Sequence, residues 1–383
     1  MPRTAAATRL NVVQLLPALD AGGVEQATLE IAAALVQRGH RAVVVSGGGA
    51  QVERLRALGA EHVTLPIGRK SPLTLRHVYT LRRLLAEARP DVVHARSRLP
   101  AWLGWLALRG IRSAPPPHFV TTVHGLNSPG AYSAVMLRGE RVVCVSETVR
   151  QHLLAHYPQR ADPARMQVIQ RGIDPQRFAR VRPDPAWQEQ LAAELPQLAG
   201  RRVLLLPGRG TRLKGHDAAL ILLAGLVARN VDAALWMPGA AQRGRERYLA
   251  ELYEIARGLG VIDRVAITPA RDDMPTCYAA ADLVLQLSSR PEALGRTVLE
   301  ALACGRPVLG FDHGGVGESL AALYPQGRIA PGNHAALLNA ATRLLTAPAP
   351  ALPAYAGPTL AGMQQATLAM YASLVAAGSG HAG

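Results

Sequence analysis

Residues 288–317 read SSRPEALGRTVLEALACGRPVLGFDHGGVG. The apolar run Leu283–Leu287 enters this stretch as a strand, and a helix is expected to start near Gly295. Gly305-Arg306-Pro307 stops that helix, and Pro307–Phe311 reads as the next strand. Glu292 therefore falls in a loop at a strand end, and Glu300 about one turn into the helix, with seven residues between them. Unpaired N–H groups and the helix dipole make such a helix start attractive to anions. Carboxylates beside an anion site need another partner, and sugar hydroxyls fit. Glu300 carries a second reading: Thr297-x-x-Glu300 matches a capping box, in which the glutamate serves its own helix. Glu292, between Pro291 and Gly295, has no such structural alternative.

Strand and helix patterns alternate on both sides of this segment. Leu10–Leu16, Ala42–Ser46, Val63–Leu65, Asp91–His94, Phe119–Val123, Val142–Val145 and Val168–Gln170 read as strands of a first half. After a proline-rich interval at 180–200, strands resume at Arg202–Leu206, Ala233–Met237, Val265–Thr268, Leu283–Leu287 and Val308–Phe311. Repeated β-α order implies parallel sheets covered by helices, hence an α/β fold. The expected domains are 1–180, a linker over 181–200, 201–355, and a C-terminal helical segment over 356–383 that packs back on the first domain. The last residues, 378–383, are expected to fray.

The chain has 383 residues, 49% of them hydrophobic, which is enough for two cored domains. The longest apolar run, Ala218–Ala228, is far short of the ~18–20 residues of a membrane span. The N-terminus does not read as a signal peptide. Cys144, Cys277 and Cys304 match no metal spacing and suggest buried thiols in a reducing cytoplasm. The net charge of +15 is uneven. Residues 1–180 hold 24 Lys/Arg against 11 Asp/Glu, or +13; residues 181–383 hold 18 against 16, or +2. A genome rich in G and C raises arginine everywhere but does not account for that difference. The asymmetry points to an anionic partner for the first half.

Lys70 and Lys214 are the only lysines beside 40 arginines. Lys214 follows the strand Arg202–Leu206 within Pro207-Gly208-Arg209-Gly210-Thr211-Arg212-Leu213-Lys214-Gly215, a loop suited to gripping phosphate; chance survival of the lysine is the plain alternative. His124-Gly125 sits at the C-terminal end of a strand, where open α/β sheets bind ligands, although a solvated loop histidine has the same signature. Arg171-Gly172-Ile173-Asp174 also follows a strand, and a simple turn explains it equally. Gly22-Gly23 opens the first helix without the three-glycine dinucleotide fingerprint, and the second strand ends in Ser46-Gly47-Gly48-Gly49 rather than an acid. A nicotinamide-dependent dehydrogenase loses ground on both counts.

Taken in order, Gly22-Gly23, His124-Gly125, Val145-Ser146-Glu147, Arg171-Gly172-Ile173-Asp174, Arg209 with Lys214-Gly215, and Glu292 with Glu300 resemble the motif series of the retaining glycosyltransferases of family 4, over roughly Leu10–Val375. The resemblance implies a GT-B fold: two Rossmann-like β/α/β domains with a cleft between them, closing on a hinge across 180–200. It implies donor diphosphate neutralised by Arg209 and Lys214 with help from backbone N–H groups near Leu294 and Gly295, and nucleotide ribose held by Glu300. Glu292 would hold the transferred sugar, and His124 would meet that sugar from the first domain. Gly22 and Gly23 would admit phosphate or acceptor, and Arg171 joins the donor-binding set. No metal or other cofactor is implied, and no Asp-x-Asp motif is present. Arg171 stands where asparagine is commoner, and Glu292 is followed by Ala293-Leu294-Gly295-Arg296 rather than a Phe-Gly pair, which leaves the donor sugar open. The form of 290–318 looks closest to a bacterial branch tied to lipopolysaccharide core or other surface glycans.

The expectation is transfer of a hexose from a nucleotide-diphosphate sugar, UDP-linked, to a sugar hydroxyl of a glycolipid or oligosaccharide, with retention. The second domain takes the donor and the first the acceptor. Nucleic acid is not an expected partner; peripheral contact with the acidic inner face of the cytoplasmic membrane is, around Arg69–Arg112. Trp102 and Trp105 there read either as membrane-facing or as part of a buried helix. A nucleotide-sugar epimerase of similar shape and a non-catalytic binder of anionic ligands are the alternatives.

Overall fold

A computed structural model of the chain describes residues 9–20, 22–112, 115–348 and 351–379. The chain divides into two units, residues 1–171 with 360–383, and residues 172–359. In the first unit the order is β1 (Asn11–Leu15), α1 (Gly23–Gln37), β2 (Arg41–Ser46), α2 (Val52–Ala57), β3 (Glu61–Thr64), α3 (His77–Ala88), β4 (Val92–Ala95), α4 (Arg98–Leu108), β5 (His118–Val123), β6 (Arg141–Cys144), α5 (Glu147–His156) and β7 (Met166–Val168). The seven strands form one parallel sheet in the order β3-β2-β1-β4-β5-β6-β7. In the second unit follow α6 (Pro185–Glu194), β8 (Arg202–Leu205), α7 (His216–Ala228), β9 (Ala233–Pro238), α8 (Glu246–Gly258), β10 (Val265–Thr268), α9 (Met274–Ala280), β11 (Leu283–Gln286), α10 (Arg296–Ala303), β12 (Val308–Phe311), α11 (Gly314–Leu323), β13 (Arg328–Ile329) and α12 (His334–Thr346). Its six strands are again all parallel, in the order β10-β9-β8-β11-β12-β13. The last described element is α13 (Leu360–Ser379), which returns to the first unit. These are the two Rossmann-like units of the expected α/β fold.

The strands are apolar runs because both faces of each sheet are covered. In β8 and the residue after it, Val203 and Leu205 enter one core with Trp236, Val284 and Val308, while Leu204 and Leu206 enter the other with Leu235, Leu285 and Leu309. That alternation is the two-residue period of a strand buried on both sides. In the first unit α13 covers the sheet: Leu368, Tyr371 and Leu374 pack with Val12, Leu29 and Ile31.

Residues 181–200 are not a linker. Asp184 caps α6 through its carboxylate, with Pro185 at the first helical position, and Pro196 opens a 3-10 turn. Leu191 and Leu198 are buried in the second unit's core beside Phe178. The prolines start helices, where a missing N–H costs nothing. The chain passes between units at 171/172 and 359/360 instead, and just inside the second unit Ile173 pairs with Thr359 as an isolated parallel bridge. The second domain therefore begins at Gly172, not 201, and the C-terminal segment at Leu360, not 356. Of the tail expected to fray, Gly378 and Ser379 belong to α13, and 380–383 lie outside the described residues.

Before α3, Pro72–Arg76 forms a 3-10 turn, with Ser71 as its N-cap, and the α-helix follows at His77. Trp102 and Trp105 are half-buried, and neither expected role describes them fully. Trp102 Nε1 donates to the Tyr132 carbonyl at 3.0 Å. Arg109 and Arg138 stack their guanidinium groups on the Trp105 ring at 4.9 and 4.6 Å. The three most exposed large apolar side chains among the described residues lie earlier: Leu73, Leu75 and Tyr79 are 70%, 55% and 67% exposed. The three cysteines are unpaired and buried, and burial pushes each thiol up to about 12. Among the described residues no helix is long and apolar enough to cross a membrane.

Candidate functional site

In the second sheet β8 and β11 are neighbours, and the strand order reverses between them. Loops leaving such a switch point splay apart and open a crevice at the C-terminal strand ends. The loop after β8 carries Arg209 and Lys214, and the loop after β11 carries Glu292. Lys214 Nζ donates to both carboxylate oxygens of Glu292, at 2.8 and 3.0 Å. Both side chains are mostly buried, at 18% and 19% exposure. Ser288 Oγ also donates to Glu292 Oε1, and Gln286 Nε2 reaches it at 3.2 Å. Gln286 and Ser288 were not among the sequence candidates; their only signal is a polar residue at the end of an apolar strand. Arg209 lies on the same loop, exposed.

Backbone shape brings the two loops together. Gly215 has φ +70°, and a Cβ there would lie 1.9 Å from the Leu287 carbonyl oxygen. Only glycine lets the β8 loop run this close to the end of β11. Gly315 likewise closes on the β11 loop: its N–H donates to the Glu292 carbonyl at 2.7 Å, and a Cβ would meet Leu294 Cα at 2.5 Å. The helix after that loop, α10, starts beyond Gly295 with no side-chain cap, which leaves Leu294 and Gly295 at an open helix N-terminus.

Glu300 does not cap its helix. Thr297 is already the second residue of α10, so the capping-box register fails. The Glu300 carboxylate accepts from Tyr278 Oη at 2.8 Å and from Arg296 Nε at 2.6 Å. Burial, with the neighbouring Glu300 charge, raises Tyr278 well above its ordinary value and keeps it a donor. Tyr278, on α9, gave no sequence signal.

The first unit has its own polar cluster at C-terminal strand ends. Gly22 precedes α1 as its N-cap, and a Cβ at Gly23 would lie 2.8 Å from Arg171 Nη1. Arg171, which follows β7, is buried and lies 3.8 Å from Glu30 of α1. His124, the residue after β5, is half-buried, and its Nε2 has no hydrogen-bond partner among the described residues. Burial, then the charges of Arg96 and Arg171, hold its pKa well below 6.5, so the ring is neutral at pH 7. Arg96, the residue after β4, is buried and donates to Gln14 Oε1 at 2.7 Å; its Nη2 has no partner among the described residues. His94, also buried, pairs with Thr122 Oγ1 at 2.6 Å and with the Tyr371 hydroxyl. Arg96, Gln14, His94 and Tyr371 are additions to the sequence candidates. Arg96 carries the same strand-end signal as His124, whereas the His94–Tyr371 pair spans 277 residues and has no local signature.

The structure thus joins Lys214 to Glu292, keeps Glu300 on separate partners, and gathers Gly23, Arg171 and His124 with Arg96. Among the described residues no group of three or more His, Cys, Asp and Glu side chains is placed to hold a metal ion.

Two family models match the chain, Glycosyltransferase Family 4 over residues 21–177 and Glycosyl transferases group 1 over 188–356. A D-inositol 3-phosphate glycosyltransferase of Salinispora tropica is 32% identical over 251 residues, which cover 60% of this chain and 51% of that one. The same-named protein of Gordonia bronchialis is 27% identical over 336 residues, 79% and 71% of the two chains. The chain thus spans about half the length of the first of these relatives. Among solved structures, a glycosyltransferase from Rickettsia africae superposes with a TM-score of 0.82 at 26% identity, over 96% of this chain and 99% of that one. The Anabaena protein HepE, solved with UDP and glucose, gives 0.77 at 22% identity over 95% and 100%, a likeness of fold alone.

Proposed function

Because the chain belongs to the glycosyltransferases of the GT-B fold, we propose that it transfers a hexose from a nucleotide-diphosphate sugar to an acceptor hydroxyl with retention of configuration. The observation that carries this reading is the Lys214–Glu292 pair at the switch point of the second sheet. A leaving nucleoside diphosphate carries negative charge that builds as the glycosidic bond breaks. Lys214 and exposed Arg209 supply fixed cations for it, and the open N-terminus of α10 at Leu294 and Gly295 adds backbone donors. Glu292 orients Lys214 in the unliganded protein and accepts from the sugar hydroxyls when donor arrives. Glu300, held by Tyr278, accepts from the nucleotide ribose. With these cations in place the transfer requires no divalent metal.

The first unit takes the acceptor. Buried Arg96, whose Nε partner is a neutral amide, favours an acceptor that carries a phosphate. His124, neutral and half-buried, offers a ring nitrogen to a sugar hydroxyl, and Gly22, Gly23 and Arg171 border the same strand ends. The relatives named for inositol 3-phosphate fit a phosphorylated polyol; a phosphorylated glycolipid core falls within the same class. The lipopolysaccharide branch is therefore not singled out. Exposed Leu73, Leu75 and Tyr79, with Arg69, Lys70 and Arg76 beside them in sequence, suit peripheral contact with an acidic membrane.

The test is nucleoside-diphosphate release from a panel of UDP- and GDP-sugars, with and without inositol 3-phosphate, inositol and truncated core oligosaccharide. Acceptor-dependent release that survives EDTA and is lost in Glu292→Ala and Lys214→Ala is expected. Conversion of donor to a free epimer without glycan product, or full turnover by either variant, refutes the reading.

A further inference from the structure

A second basic cavity lies at the other end of the first sheet. Its volume is about 710 Å³, within the range of small-molecule sites. It opens where β4 and β5 begin, at Asp91 and His118, between the last turn of α3 and the turn after α4. Every candidate residue of the first unit follows the opposite, C-terminal strand ends. The cavity therefore belongs to a different site.

Arg82, Arg83, Arg89 and Arg112 line it. Their charge is poorly compensated. Asp91 is the one carboxylate in the lining among the described residues, and it accepts from the Asn11 backbone N–H at 2.7 Å. His118 is paired with Glu140 outside the lining, at 2.7 Å. Arg82 donates to neutral carbonyls, those of Ala107 and Leu106 at 3.2 and 3.3 Å. Arg83 approaches Glu87 only to 3.7 Å, with both side chains more than two-thirds exposed, where solvent screens the pair. Arg89 and Arg112 enter no ion pair among the described residues.

Arg89 adds an independent sign. It ends α3 in the left-handed conformation, φ 44° and ψ 59°, a position that favours glycine. Arginine there carries a backbone cost that glycine would not, and it sets a fourth guanidinium in the wall of the cavity.

We propose that this cavity binds a ligand bearing two or more phosphate groups, held by Arg82, Arg83, Arg89 and Arg112. Several guanidinium forks around one cavity match several phosphates, each fork bidentate to one oxyanion pair. Such a ligand is either a soluble polyphosphate ester or the headgroup of an anionic lipid.

The experiment starts from Arg209→Ala/Lys214→Ala protein, in which the donor-site cations are gone. Inorganic pyrophosphate is titrated calorimetrically into it at low salt, then into the same protein with Arg89→Gly/Arg112→Ser added. The inference expects at least a tenfold loss of pyrophosphate affinity with no fall in melting temperature, since glycine suits the left-handed position. A surface control, Arg56→Ser/Arg257→Ser, removes equal charge and is expected to change affinity less than twofold. In parallel, co-sedimentation of the same two proteins is measured with phosphatidylcholine vesicles containing cardiolipin, whose headgroup carries two phosphates, and with phosphatidylcholine alone. Loss of pyrophosphate binding alone assigns a soluble ligand; loss of vesicle binding alone assigns a lipid headgroup. No change in either, or an equal loss in the surface control, overturns the proposal.

Discussion

Replacing Lys214 with methionine leaves the Glu292 carboxylate facing only Ser288 and Gln286. The two charged groups are 2.8 Å apart, and each side chain is about four-fifths buried. At an effective dielectric constant near 20, unit charges at this range attract by about 4 kcal/mol or more, and desolvation removes much of it. The single change is therefore expected to cost about 2–3 kcal/mol. Glu292→Gln keeps a side chain of the same shape able to meet Ser288, and is expected to cost about 1–2 kcal/mol. In the double variant neither charge is stranded, so its cost should fall short of the sum by about 1–3 kcal/mol. The assay is urea unfolding followed by tryptophan fluorescence, with Trp187 and Trp236 reporting on the second unit. Costs that add within about 0.5 kcal/mol would refute a coupled pair. Repeating the cycle in saturating UDP should shrink the coupling, because a diphosphate competes with Glu292 for the same ammonium.

His216 is buried, and burial lowers its pKa from 6.5 to about 4, so it folds neutral. The unfolded chain takes up a proton below pH 6.5 that the folded chain refuses, and stability should fall between pH 6.5 and 4 by about 2–4 kcal/mol. His216→Gln should flatten that acid limb in pH-dependent unfolding; an unchanged limb counts against the assignment. Gly215→Ala places a methyl 1.9 Å from the Leu287 carbonyl oxygen at φ +70° and should cost about 3 kcal/mol with loss of turnover; a variant with wild-type stability would show that the loops are not in this contact. Leu73→Asp/Tyr79→Asp, both at exposed positions, should leave melting unchanged and weaken sedimentation with vesicles containing phosphatidylglycerol at least fivefold in low salt. Equal sedimentation of variant and parent would remove that surface from membrane contact.

What was legible in the sequence was what is local. The strand before Glu292 and the breaker at Gly305, which follows the C-cap of α10 with φ +71°, each act within a few residues, and the structure places them accordingly. Local signals also misled. Pro185 and Pro196 look like linker residues, but each opens a helical turn whose leucine is buried in the second core. Thr297-x-x-Glu300 has capping-box spacing, but the helix begins two residues too early for it, with Gly295 as the N-cap packed closely against Gly315 and Val316 of α11. Neither outcome is set by the segment itself; both are settled by what the rest of the unit packs against it. The His94–Tyr371 contact is the extreme case, since α13 reaches β4 only after the whole second unit has been traversed.

Strand order supplies the part that motif spacing lacks. Each sheet reverses beside its first strand, so β1 lies against β4 in one unit and β8 against β11 in the other. The loops after β8 and β11 bring Lys214 onto Glu292. By the same topology the loops after β1 and β4 carry Gly22-Gly23 and Arg96. Arg96 is thus the first unit's positional counterpart of Glu292, with the opposite charge. A carboxylate at one switch point suits sugar hydroxyls around a cationic diphosphate grip, whereas a buried guanidinium at the other suits an anionic acceptor. Arg96→Gln keeps a hydrogen-bonding group opposite Gln14 and removes only the charge. If the two switch points divide donor and acceptor in this way, that variant raises KM for a phosphorylated acceptor at least tenfold. It leaves KM for the nucleotide sugar, and for the unphosphorylated acceptor, within twofold. A parallel rise in all three would mean that Arg96 supports the fold of the first unit and does not read the acceptor.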